Sequence, residues 1–121
     1  MTKKTYQKLV KEFWTQIEGT REEGQKEYAR DDGNIFANFE RVSTSLNINR
    51  EKALMTYLLK HIDGIISYID GHQSQREEVD GRIKDAIVYL LLLWAMVSEK
   101  NFKNEKITAE NEYWTTTTTT I

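Results

Sequence analysis

From Arg82 to Val97 the chain reads RIKDAIVYLLLLWAMV, and from Ala86 onward Tyr89 carries the one polar side chain. No other stretch offers so much apolar surface in so few residues. At 3.6 residues per turn, Val79, Ile83, Ile87, Leu90, Leu91, Trp94 and Val97 fall on one face, and Glu78, Arg82, Asp85, Tyr89, Leu92 and Met96 on the opposite one. The first half of this helix is therefore charged on one side, and the second half is apolar all round. An all-round apolar helix is buried on every side, in a core or against a partner. Ala86 to Val97 is twelve residues, too short for a bilayer span of about 20, so no membrane association is expected. Asp85 stands where the buried half begins, one turn before Tyr89 and in line with Leu92. A carboxylate there needs an arginine, a lysine, a metal or water, because a lone buried charge is expensive.

The remaining chain reads as further helices. Tyr6, Leu9, Val10, Phe13, Trp14 and Ile17 form a helical stripe over Thr5 to Glu18, which Gly19 is expected to end or bend. Thr20 can cap a second, mostly polar helix with Glu22 and Glu23 in its first turn, stopping near the turn cluster Asp31-Asp32-Gly33-Asn34. A third runs from Ile35 to Leu46, broken by Asn47-Ile48-Asn49. A fourth runs from Arg50 to Ile69, with Asn49 as its cap and Leu54, Tyr57, Leu58, His61, Ile62, Ile65 and Ile69 on one face. The central helix then spans about Arg76 to Lys100. Beyond Asn101 the chain is polar and weakly periodic, ending in Tyr113-Trp114, six threonines and Ile121. The expected fold is all-α: one helical domain over residues 1–101, a bundle of four to five helices, with a polar extended or disordered tail over 102–121. A chain of 121 residues suits a single core.

Composition removes several kinds of chemistry. Cysteine is absent, which excludes disulfides, thiolate zinc sites and cysteine nucleophiles. A net charge of -2 creates no global field for nucleic acid, so no direct nucleic-acid binding is expected. The opening MTKKTYQK leads into a charged amphipathic helix without the apolar run of a signal peptide, which makes the cytoplasm the expected compartment. Glycine-rich phosphate loops, G-x-S-x-G and H-E-x-x-H are all missing, and His61 with His72 makes no zinc set.

What remains is carboxylates and scattered cations. Glu23 and Glu27 are four apart and face the same way. They suit a Mg²⁺ ion, although solvated glutamates beside Arg30 and Lys26 are the commoner meaning of that spacing. Glu78 and Asp85 lie two turns apart with Arg82 between them. That is an intrahelical salt bridge, or a carboxylate pair beside a phosphate-binding arginine. For Asp85 the apolar stripe beyond it favours function. Lys60 and Asp63 lie on the polar side of their helix. His61 falls on the apolar side beside Tyr57 and Ile65, where a histidine is more often a hydrogen-bonded core residue than a ligand.

Three segments in order, KEYARDDGNIFANFERVS, ALMTYLLKHIDGI and GRIKDAIVYLLLLWAMV, resemble the small, mostly phage-borne "nucleotide modification associated domain 1" proteins. Those in turn look like the all-α MazG-type nucleotide pyrophosphatases. The resemblance covers roughly Glu22 to Glu99. It rests on Lys26 and Tyr28, Asn38-Phe39, Lys60, and Asp85 with Tyr89. It implies a helical bundle that oligomerises and grips a nucleotide between helices. In the MazG type, an E-x-x-E pair and an E-x-x-D pair hold Mg²⁺. Here Glu23 and Glu27 are spaced E-x-x-x-E, and Arg82 stands where the second pair has its glutamate. A cation there removes a coordinating oxygen and adds a group suited to phosphate.

The expectation is a nucleotide-binding protein of phage type, a homo-oligomer that sequesters a nucleotide or nucleotide-derived signal without any cofactor. Lys60, Arg82 and Arg30 would hold phosphates, and Phe39 or Tyr89 would stack the base, with Asn38 and Asp85 nearby. The alternative is a Mg²⁺-dependent pyrophosphohydrolase using Glu23, Glu27, Glu78 and Asp85. A third possibility is an interaction module without a small ligand, its apolar helix forming a subunit interface.

Overall fold

The computed structural model describes residues 1–28, 33–73 and 78–112, with side chains outside 25–28 and 104–112. Four helices follow in order: α1 (Lys3–Tyr28), α2 (Ala37–Leu46), α3 (Arg50–Ile69) and α4 (Val79–Glu112). The fold is all-α, with no strand among the described residues. α3 has the bounds read from the sequence.

Gly19 does not break α1, so the two expected N-terminal helices are one. Thr20 is no cap: its hydroxyl donates to the Gln16 carbonyl at 3.2 Å. A glycine inside a helix costs about 1 kcal/mol, and without a proline nearby the ladder runs through it. The stripe of α1 buries only toward its C-terminal half. Ile17 is fully buried and Phe13 packs against the core, while Tyr6, Leu9 and Trp14 stay exposed. At the other end, α4 takes in Phe102–Glu112, the first part of the segment read as tail. Glutamate and lysine are good helix formers, so propensity continues the helix without an apolar period. Residues 113–121 lie outside the described residues.

The connections are closed by local hydrogen bonds. Asn34 accepts from the Phe36 N–H at 3.0 Å and donates its amide to Glu40 at 3.0 Å. After α2, Asn47 adopts a left-handed φ of 55°, and the Ile48 N–H reaches back to the Ser43 carbonyl at 3.1 Å. Asn49 caps α3 by accepting from the Lys52 N–H at 2.8 Å. Gly71, at φ 93°, ends the same helix in a Schellman turn: the His72 N–H bonds to Ser67 and the Gly71 N–H to Tyr68.

α3 and α4 pack antiparallel. Arg50 at the start of α3 meets Glu99 late in α4, and Gly64 meets Arg82. α2 lies along α3, and α1 lies against α4. Their shared core is built on Ile17, Phe39, Ala53, Leu54, Tyr89 and Met96, with Phe36, Leu58, Ala86, Val88 and Leu92 beside them.

Arg50 clamps one end. Its guanidinium lies 3.0 Å from Glu40 of α2 and 3.3 Å from Glu99 of α4, and 4.7 Å from the centre of the Phe36 ring. One side chain thus ties three helices and the connection before α2. The Lys103 hydrogen bond, aided by the Arg50 charge, holds the Glu99 carboxyl below its ordinary value of 4.5. A carboxyl depressed on folding adds stability above its unfolded value and loses it as pH falls through the folded one. We therefore expect Arg50→Ala to cost about 2 kcal/mol in urea unfolding at neutral pH, since a shared network and a ring contact exceed a lone surface pair. Glu99→Gln should flatten the acid limb of the stability curve below pH 4.5.

Candidate functional site

Aromatic rings from three helices meet in the middle of the bundle. Phe39 of α2 points edge-on at Tyr57 of α3, centroids 5.7 Å apart, and at Tyr89 of α4, 6.1 Å apart. The two tyrosines stack at 6.1 Å and 17°. His61 lies over the same Tyr89 ring at 5.4 Å. Helical spacing produces this: Tyr57 and His61 are one turn apart on α3, so both face α4. Edge-to-face and stacked contacts of this kind are worth roughly 0.5–1.5 kcal/mol each beyond their area.

Asp85 sits at the rim of the rings. Its Oδ2 is 3.8 Å from His61 Nδ1, too long for a hydrogen bond but short enough for an ion pair when the imidazole is protonated. Asp85 also lines a cavity of about 40 Å³ with Tyr89, Phe39 and the Thr20–Arg21–Gly24 face of α1. That is room for little more than a water molecule.

One turn earlier on α4, Arg82 crosses α3 at Gly64. A Cβ on Gly64 would run into the Arg82 side chain, so the missing side chain makes the crossing possible. Arg82 walls a cleft of about 350 Å³, shared with Gly64, Tyr68, Gln73 and Glu78. Lys60 lies one turn before Gly64 and is exposed. The flank of α3 from Tyr57 to Tyr68 therefore presents rings, a lysine and an arginine side by side. The cleft is at the small end of the range that ligand pockets occupy.

The structure brings together only part of the expected site. Phe39, Asp85 and Tyr89 share one cavity, and Arg82 lies next to it in the cleft. Asn38 is on α2 and accepts from Arg41 at 2.8 Å, lining neither hollow. Arg30 lies outside the described residues. Of the expected metal ligands, Glu23 is exposed on α1, Glu78 lines the cleft and Asp85 the small cavity. The Glu27 side chain lies outside the described residues. Among the described residues, no three carboxylate or histidine side chains converge on a point fit for a metal ion. Tyr57, Gly64 and Tyr68 were not among the expected site residues, and His61 was read as core. A glycine inside an otherwise strong helix was the one available signal for the Arg82 crossing.

Comparison of the chain with known protein families, curated proteins and solved structures finds no match.

The Gly64–Arg82 contact makes a sharp expectation. Gly64→Ala should gain up to about 1 kcal/mol of helix propensity in an Arg82→Ala background, where the crossing side chain is gone. In the parent chain the same change should gain nothing or destabilise. The resulting coupling, at least about 0.5 kcal/mol by double-mutant cycle in urea, measures the contact.

Proposed function

We propose that this protein binds a nucleotide or nucleotide-derived signalling molecule along the α3–α4 flank, and that it sequesters the molecule rather than converting it. The observation that carries this reading is Arg82 at the wall of the cleft, beside the Asp85–His61–Tyr89 group. A nucleotide presents phosphates and a flat base. This flank presents two cations, Arg82 and Lys60, and a tyrosine, Tyr68, exposed at the cleft mouth. Guanidinium binds phosphate in a bidentate fork, and ring stacking on a base is worth roughly 1–3 kcal/mol. Sequestration is favoured over hydrolysis because Arg82 occupies the place where a catalytic relative would supply a metal-binding carboxylate. The resemblance to phage-type nucleotide proteins points the same way, and with it to a cytoplasmic homo-oligomer. No helix of the described residues is long and apolar enough to cross a membrane.

Isothermal titration with nucleotides and cyclic dinucleotides in the presence of EDTA tests this. Binding is expected without Mg²⁺, and Arg82→Ala should weaken it at least tenfold, or about 1.4 kcal/mol. Pyrophosphate release from nucleoside triphosphates with Mg²⁺, lost in Asp85→Asn, would replace the reading with a pyrophosphohydrolase. Silence across the whole panel would leave a module that recognises other proteins.

A further inference from the structure

The apolar half of α4 is expected to be buried on every side, in a core or against a partner, and within one chain one side of it faces outward. Its inward face, Ala86, Val88, Tyr89, Leu92 and Met96, fills the core. Its outward face runs Ile83, Ile87, Leu90, Trp94 and Val97, at intervals of four, three, four and three. Trp94 is 70% exposed, Leu90 50% and Val97 44%. α3 carries the same pattern: Met55, Leu59, Ile62, Ile66 and Ile69 repeat four, three, four, three. Ile69 is 73% exposed and Leu59 51%. This alternation is the heptad seam of coiled coils and four-helix bundles.

The two seams lie on one side of the molecule. The seam is turned from the core-facing direction by about 110° on α3 and about 145° on α4, in the same sense along each chain direction. The helices are antiparallel, so rotations of the same sense turn both seams to the same surface. α1 packs elsewhere on α4, near Lys84, Val88 and Leu92, and α2 packs on α3 by way of Phe39 and Tyr57. Nothing among the described residues covers the face.

We propose that the α3–α4 outer face pairs with its counterpart on a second copy of this chain, forming an intermolecular four-helix layer about a two-fold axis. Three observations select this occupant. The seam positions carry no charge, so an identical face meets it without burying one. Both seams have the same spacing, and Leu59 of α3 lies level with Leu90 of α4 in the register set by the Arg50–Glu99 pair, so both fall opposite their own copies when one two-fold axis crosses the antiparallel helices at that level. Seven of the ten apolar side chains are 38–73% exposed and Met55, Ile62 and Ile87 are partly buried, which together offers on the order of 800 Å² per copy, about what a stable interface takes from each partner. Lys52, Asp63 and Asp70 stand on its border, a rim of both signs such as surrounds the core of a protein interface. Isologous pairing of this kind is the commonest form of homo-oligomer. The inference gives the oligomer in the preceding proposal its surface, and it stands or falls without any nucleotide.

The test uses the full chain, free of ligand. Light scattering behind size exclusion should give a dimer or an even multiple of it, and Leu59→Lys with Leu90→Lys should halve the mass while far-ultraviolet helicity is kept. If that variant unfolds, the native lack of cysteine supplies an independent measurement. Leu90→Cys and Leu59→Cys should each form a covalent dimer on mild oxidation, at least tenfold faster than Glu12→Cys on the outside of α1. A monomeric parent mass overturns the proposal, whether the face then takes another protein or a lipid surface. So does cross-linking at Leu90 no faster than at Glu12.

Discussion

The ring contact of Phe39 with Tyr57 and Tyr89 is the joint on which the bundle turns. There α2, α3 and α4 each supply an aromatic ring to the same point. A short helix such as α2, ten residues long, has little stability of its own. It is held by Phe39, set edge-on against two stacked tyrosines, and by the Arg50–Glu40 pair at its first turn. The same rings set the distance between α3 and α4. That distance lets Arg82 pass over Gly64 and brings Asp85 within reach of His61. Packing and site are therefore not separable here: moving the rings moves both charged groups.

The α4 helix illustrates how far a sequence reading carries. Its apolar run fixed the helix and placed Asp85 at the edge of burial, and the structure keeps both. Periodicity reports which residues share a face, and α3 was legible to the residue because its caps, Asn49 and Gly71, agree with its stripe. It does not report which face meets which neighbour. The all-round apolar half of α4 reads as buried, yet one side of it looks outward, because nothing in a single chain says whether a partner is another helix or another copy. Gly19 misled for a related reason: a glycine signals a stop only where the ladder on both sides is weak. The polar run from Phe102 lacked a stripe and so read as tail, although propensity alone is enough to extend a helix already nucleated.

Half of the expected site came together and half did not, again for a reason of information. Asp85, Tyr89 and Arg82 lie on one helix, so their spacing fixed their relation. Lys60 is exposed on the neighbouring α3, one turn from Gly64, and lines neither hollow. Asn38 and Glu23 lie on other helices, and their placement depended on packing angles that spacing does not encode. Tyr57 and His61 carried the needed signal, one turn apart on an apolar face, but an aromatic there is read first as core.

The reach of α4 has a consequence of its own. Arg50, the first residue of α3, pairs with Glu99, and α4 continues to Glu112. At about 1.5 Å per residue, roughly 20 Å of helix stands past the start of α3. Such an extension is a cantilever: rooted in packed turns, it inherits its order from them and gives it up with distance from the root. Amide exchange along it should be graded rather than uniform. Whatever grasped its far turns would feel the state of the root, and the root lies beside the clamp that joins three helices.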